Sequence, residues 1–345
     1  MAAEQRAPAG TDTPAIPDTS AGAEALTGGG GTAARVAALV SENVQRVILG
    51  KPELVRLAVA GLLAEGHLLI EDVPGLGKTT LARCLARSIG GTWRRIQFTP
   101  DLLPGDITGV SVYRQREERF AFHPGGVFAN IVVADEINRG TPKTQSALLE
   151  VMSERRVTVD ATTHEVPRPF LVVATQNPIE LEGTYRLPEA QLDRFLLRLS
   201  VGYPDLDTEV SVIMGDCAGV TAEDLPTVVD IAAVQAAIAE VRASHVDRAV
   251  ARYAAQLAAA TREHAAVRFG ASVRGSIALV RTAQALAAID GRDFVTPDDV
   301  KEVAVPVLAH RIVLTPEAEL GQRSAAEVVA AVLDSTPVPT VNAGR

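Results

Sequence analysis

The stretch Asp72-Val73-Pro74-Gly75-Leu76-Gly77-Lys78-Thr79 decides how this chain folds. It follows a short apolar run, His67 to Asp72, that reads as a strand, and it precedes Thr79 to Ile89, whose apolar spacing reads as a helix. A Gly-rich turn between strand and helix is where backbone N–H groups and a helix N-terminus can converge on phosphate. The turn Pro74 to Gly77 would wrap the phosphates. Gly75 and Gly77 would allow close approach, Leu76 and Thr80 would add to the cradle, Lys78 would bring a positive charge and Thr79 a hydroxyl ligand for Mg²⁺. Asp72 departs from the G-x-x-x-x-G-K-[ST] pattern at its first position. Taken alone, the stretch also suits a plain strand-to-helix turn with an exposed lysine.

Further strand-length apolar runs follow at 95–98, 131–134, 170–174 and 195–199, separated by helical stretches such as Thr144 to Met152. Strands alternating with helices predict a parallel sheet covered on both faces. The run Ile131 to Ala134 ends in Asp135-Glu136, which can offer one carboxylate to a metal and one to a water. The run Phe170 to Ala174 ends in Thr175-Gln176-Asn177, at the sheet edge where open α/β folds bind ligands. Asn177 can donate to a terminal phosphate oxygen. Two segments, 109–123 and 156–167, alternate around charged turns and read as β-hairpins.

Outside this half, amphipathic spacing from Val36 to Val47 and after Pro52 predicts two helices ahead of the first strand. Residues 1–32, rich in Ala, Gly, Pro and Thr, read as a disordered tail. After Tyr203-Pro204 the sequence becomes Ala-rich and helical, with a legible start at Thr296-Pro297-Asp298-Asp299. The expected division is a tail at 1–32, an α/β core at 33–203, a helical domain at 204–336 and a flexible end at 337–345. A length of 345 residues allows two domains at about 150 residues each. Arg194, early in a helix begun by Pro188, and Arg274, opening another, are candidates to reach a nucleotide.

The net charge of −9, pI near 5.3 and 4% aromatic content exclude a protein held mainly by nucleic-acid phosphates or base stacking. Two cysteines, Cys84 and Cys217, cannot form a disulfide scaffold and read as small buried residues. No apolar run reaches the roughly 18 residues of a membrane span, and no basic-then-apolar leader is present, so a cytoplasmic protein is expected.

The segments Ala134-Asp-Glu-Ile-Asn-Arg139, Pro142 to Glu150, Gln97 to Pro104, Ala174 to Pro178 and Leu187 to Phe195, in order, resemble the MoxR family of AAA+ ATPases. The similarity runs from about Val36 to Pro337. It implies an α/β AAA+ P-loop core with two β-hairpin insertions and a C-terminal all-α lid, binding ATP with Mg²⁺. By that resemblance Lys78 and Thr79 form Walker A, Asp135 and Glu136 Walker B, and Asn177 sensor 1. Arg194 matches the arginine finger that reaches a neighbour's ATP, and Arg274 matches sensor 2, reaching ATP within its own subunit. Ile48, Leu49 and Gly50 lie where adenine is held. Lys51, Arg186 and Val273 stand where other members carry Gln, Pro and Pro. Arg186 puts a second cation near Arg194, so either is a candidate for the trans-acting arginine.

The resemblance further implies a homo-oligomeric ring, a hexamer, that remodels or matures a client protein complex, with a partner bearing a von Willebrand factor A domain. Alternatives that keep the chemistry are a magnesium-chelatase-like motor, or a scaffold in which slow hydrolysis serves as a timer.

Overall fold

The computed structural model describes residues 31–73, 75–177, 183–217 and 221–339. The tail expected at 1–32, apart from its last two residues, lies outside the described residues, as do Pro74, Pro178 and the chain end from 340. Two helices open the described chain, α1 (Thr32–Gln45) and α2 (Pro52–Leu63). Val36, Val40 and Val44 make the buried stripe of α1, and Pro52 starts α2 at the position where its missing N–H costs nothing.

Five strands build the central sheet: β1 (Leu68–Glu71), β2 (Trp93–Gln97), β5 (Ile131–Asp135), β8 (Leu171–Gln176) and β9 (Leu197–Leu199). Their spatial order is β2-β5-β8-β1-β9, and every neighbouring pair is parallel. Successive residues face opposite cores: Leu68 and Ile70 pack on one side, Leu69 on the other, with Ile131 and Val133 against Val132 and Ala134 repeating the pattern. Burial on both faces explains why β1, β5 and β8 read as continuous apolar runs, whereas β2 at the sheet edge exposes Arg94 and Arg95. Register pairs Gln97 with Asp135 and Glu71 with Gln176, so the strands deliver their last polar residues to a common edge.

Helix α3 (Lys78–Ser88) follows β1 and α5 (Pro142–Glu154) follows β5. Short α4 (Pro104–Thr108) leads into the first hairpin, β3 (Gly109–Arg114) with β4 (Arg119–Pro124). The second hairpin pairs β6 (Arg156–Val159) with β7 (Thr162–Glu165). His164 stacks on Phe122 with ring centroids 3.8 Å apart, which ties the two hairpins together. Helix α6 (Glu189–Leu192) is a single turn before β9.

The remaining chain is helical, as α7 (Leu206–Cys217), α8 (Ile231–Ala243), α9 (Arg248–Glu263), α10 (Val273–Ile289), α11 (Pro297–Leu308), α12 (Pro316–Leu320) and α13 (Ala325–Ser335). One feature was not expected in an all-α lid: β10 (Val267–Phe269) and β11 (Val313–Leu314) form a small antiparallel pair. Two- and three-residue strands are too short to leave an alternating pattern. Thr296 caps α11 as its sequence predicts, with Asp299 completing a capping box. Cys84 is buried, and burial pushes its thiol up to about 12.

The lid packs on the outer face of α1 and α2. Valines of α1 share a core with Val234 and Ala237 of α8 and Leu279 of α10. Charged contacts reinforce the seam: Arg56 of α2 grips Asp290 at the end of α10, at 2.7 and 3.1 Å. Glu65, in the turn after α2, accepts from Arg155 at 2.7 Å and from Arg242 of α8. Arg281 of α10 donates to the carbonyls of Ala64 and Glu65.

Candidate functional site

Gly75 and Gly77 adopt φ of +86° and +78°, a left-handed backbone that glycine enters without cost, and the space where a Cβ would project is open at both. Gly77 caps α3, so the free N–H groups of the helix start face that open space. Lys78 Nζ donates to the Asp72 carbonyl at 2.6 Å. Burial pushes the Lys78 ammonium below its usual range, against the pull of Asp72, Asp135 and Glu136. All three carboxylates therefore act on one lysine.

Asp72, the departure from the Gly-rich pattern, has its own role. Its carboxylate accepts from the Ser200 hydroxyl at 2.8 Å and from the N–H groups of Val201 and Gly202 at 2.6 and 2.9 Å. Burial opposes its charge, but these hydrogen bonds win and hold the carboxyl below its ordinary value. The start of the P-loop is thereby stapled to the segment that leads from β9 into α7. Lys51, another departure, caps the Tyr203 carbonyl of the same segment at 2.9 Å.

Asp135 ends β5 beside this loop. Thr175, buried at the end of β8, donates its hydroxyl to Asp135 Oδ1 and accepts from the Glu136 N–H at 2.9 Å. Arg95 sits on the other carboxylate oxygen, with Nε at 3.0 Å. Glu136 takes φ of +54°, uncommon for a side chain of its size, and its carboxylate accepts from Gln97 at 2.8 Å and Arg139 at 3.2 Å. The strained backbone and two donors fix where this carboxylate points. Asn177 follows β8, and its carbonyl accepts from Asn138 at 3.5 Å.

A cavity of about 500 Å³ lies against Gly75, Leu76, Gly77 and Thr80, and Ile48 and Leu49 line its far side together with Val212 of α7. Its size and mixed lining suit a nucleotide. Gly50 is not among its lining residues. It makes a left-handed turn at φ +68° against Thr208 of α7, where a Cβ would collide. Among the described residues no cluster of three His, Cys, Asp or Glu side chains could cage a metal alone.

The two arginines lie elsewhere. Arg194 donates to the Leu149 carbonyl at 3.0 Å and to Ser153, both on the last turns of α5. Ser272, which caps α10, donates to Asp193 at 2.9 Å, bringing the start of α10 onto the same spot. Arg194 and Arg274 thus line one cleft of about 460 Å³, with Arg155, Arg242 and Arg281 behind them. Neither lines the P-loop cavity. Arg274, expected at the ATP of its own subunit, lines the cleft with Arg194, and the cavity beside the P-loop is lined by neither it nor Lys78, Thr79, Asp135 or Glu136. The lid is folded back on α1 and α2, which carries the first turn of α10 to the end of α5 that holds Arg194. Arg186 is exposed in the approach to α6 and does not line the cleft.

Comparison with known proteins fits this geometry. The family described as ATPase family associated with various cellular activities (AAA) matches residues 67–197, and the AAA lid domain matches residues 259–332. The chain is 44% identical to Chaperone MoxR1 of Mycobacterium tuberculosis over 97% of its own length and 91% of that protein. The chain belongs to the MoxR family of AAA+ ATPases. Bacillus subtilis YeaC is 48% identical over 86% of this chain and 93% of its own. A crystal structure from Cytophaga hutchinsonii superimposes at a TM-score of 0.83, with 37% identity, covering 90% of this chain and 97% of the other.

As a MoxR-family member the protein binds and hydrolyses ATP. Sequence reasoning missed three side chains that shape its site: Thr175, Gln97 and Arg95. Thr175 and Gln97 stand inside the family segments, yet their partners are set by strand order. That β2 lies beside β5, and β5 beside β8, is what brings them to Glu136 and Asp135. A polar residue at the end of each apolar run was the available signal.

Proposed function

We propose that this ATPase works as a homo-oligomeric ring in which each chain cradles ATP on Lys78, Thr79 and the P-loop while its neighbour supplies Arg194 and Arg274. The observation that carries this reading is the shared cleft of those two arginines, away from the P-loop cavity of the same chain. A trans arginine contributes about 10³ to 10⁵ in rate, roughly 4 to 7 kcal/mol of barrier, so assembly largely controls turnover.

Within the site Glu136 orients and deprotonates the attacking water, held by Gln97 and Arg139. Asn177 takes the sensor position at the end of β8. Thr79 and Asp135 would hold Mg²⁺. Hydroxyl and carboxylate are the hard oxygen donors this ion takes, and two protein ligands leave room for the phosphate oxygens that normally complete its shell. When bound, the ion neutralises charge on the phosphates. Ile48 and Leu49 hold the adenine.

The work done is chaperone-like remodelling of a client protein complex, with a partner bearing a von Willebrand factor A domain and a six-membered ring as the family resemblance implies. Exposed Tyr113 and Phe120, paired across the first hairpin with centroids 5.2 Å apart, support a client-facing role for that insert. The deciding experiment mixes Arg194→Ala chains with Lys78→Ala chains, each nearly inactive alone. Recovery of part of the ATPase activity is expected, because each chain supplies what the other lacks. No recovery despite co-assembly would end the trans assignment.

A further inference from the structure

Two apolar patches flank the two halves of this site. Helix α7 packs Thr208 against Gly50 and lines the nucleotide cavity with Ser211 and Val212. Its outer face shows Leu206, Val210, Ile213 and Met214 to solvent, each at least half exposed and Leu206 at 75%. These positions fall at i, i+4, i+7 and i+8, a continuous helical stripe of the kind that a partner covers. Exposed acids, Asp207 and Glu209, border it.

The second patch adjoins the arginine cleft. Val273 and Ile277, one turn apart on α10, are 68% and 53% exposed on either side of Arg274 in sequence, and Phe269 of β10, four residues before Val273, is 61% exposed. Arg268 lies over the Phe269 ring at 5.2 Å, so this patch is bordered by cations. Apolar meets apolar and acidic border meets basic border when one chain is set head to tail on the next.

We infer that the outer face of α7 in one copy receives Phe269, Val273 and Ile277 of the adjoining copy. The inference rests on the trans reading above, because the same docking that buries both patches brings Arg194 and Arg274 to the neighbour's P-loop cavity. A second copy is the occupant because, on that reading, each P-loop takes its arginines from the next chain, and the acidic border of one patch complements the basic border of the other. The contact is heterologous, so it closes into a ring or extends as a filament and never pairs a patch with itself.

The test uses two variants in a Cys217→Ser background, Ile213→Cys and Ile277→Cys. Mixed under mild oxidation with ATP, they should give a disulfide-linked dimer that neither yields alone. Cross-linking within one variant alone, or none in the mixture, overturns the inference. Separately, Val210→Asp with Ile213→Asp should raise the concentration for half-assembly at least tenfold by sedimentation and lower ATPase activity at dilute protein. Nucleotide binding by the single chain should persist, which separates lost docking from lost folding. Unchanged assembly, with Arg194 and Lys78 variants still complementing, would refute the α7 contact and leave the trans reading standing. Mixed-variant cross-linking without complementation would uphold the contact and remove the arginine assignment.

Discussion

Replacing Glu65 with alanine should cost about 3 to 5 kcal/mol of folding stability, the range for breaking a buried ion pair by removing one partner. Its side chain is only 6% exposed and is met by Arg155 at 2.7 Å and by Arg242. Arg281 stands beside it, its guanidinium pushed down first by burial and then by Arg155 and Arg242, with Glu65 the one group favouring its charge. Loss of the carboxylate would leave three guanidiniums facing one another across the seam between core and lid. Arg242 is 60% exposed, so Arg242→Ala should cost only about 0 to 1 kcal/mol, and the loss in Glu65→Ala must come from the buried side of the cluster. Urea unfolding followed by circular dichroism reads the difference, and Glu65→Gln, which keeps an acceptor, should fall between the two. The double variant with Arg155→Ala should lose less than the sum of the single losses, because the two groups share one interaction. A loss below about 1 kcal/mol in Glu65→Ala would refute the hub.

Acid should weaken the fold through His67. Burial pushes this imidazole down to about 4, with Nε2 directed at the Met152 carbonyl and Nδ1 accepting from the Val172 N–H. The unfolded chain takes up a proton below about 6.5 and the folded one refuses it, so stability should fall by up to about 1.4 kcal/mol per pH unit between roughly pH 6.5 and 4. His310, also held well below its usual value by burial, adds a slope of the same sign, and a His67→Gln variant whose urea midpoints keep the full wild-type slope would exclude His67 as a source. Thr175→Val should lower folding stability by about 1 to 3 kcal/mol, since the Glu136 N–H loses its acceptor, and Thr175→Ser should restore the urea midpoint; an unchanged midpoint in Thr175→Val would show the bond to be idle. Asp72→Gly, which recreates the usual phosphate-loop glycine, should nevertheless destabilise by about 1 to 3 kcal/mol because Val201 and Gly202 lose their acceptor; unchanged urea midpoints would show the staple to be idle.

The sheet was legible because its central strands bury both faces, and such strands appear as Val- and Ile-rich runs in any context, as Ile131 to Ala134 does. The phosphate loop was legible because its requirements are local: glycines at φ of +86° and +78°, then a lysine opening a helix. Gly50 shows the limit of positional reasoning. The sequence places it in the adenine segment, and its backbone serves the turn, but its missing side chain makes room for Thr208 rather than for a base. What could not be read was the direction in which the lid folds. Arg56, Arg242 and Arg281 look like ordinary solvated helix charges, yet the pairing of Arg56 with Asp290, and of Glu65 with its arginines, reinforces the apolar packing of the lid on α1 and α2.

That direction has a mechanical consequence carried by α5. Its first turn, capped by Thr141, follows directly on Glu136 and the 3₁₀ turn Ile137–Arg139. Its last turn holds Arg194 through Leu149 and Ser153, and Arg155, at its C-cap, joins Glu65. At 1.5 Å per residue the 13 residues of α5 span about 20 Å, and the helix connects the Glu136 turn to the cleft of Arg194 and Arg274. On the trans reading proposed above, a shift of Glu136 when γ-phosphate departs would pass through the 3₁₀ turn and along this capped helix toward Leu149, Ser153 and the guanidinium they hold. With the lid fastened to the same end through Glu65, Arg194 and Arg274 would move together, and ATP hydrolysis in one chain would change the geometry of the site it completes in its neighbour. An all-α lid closing over its own nucleotide would lack this link, since Arg274 would then report on the γ-phosphate of its own chain.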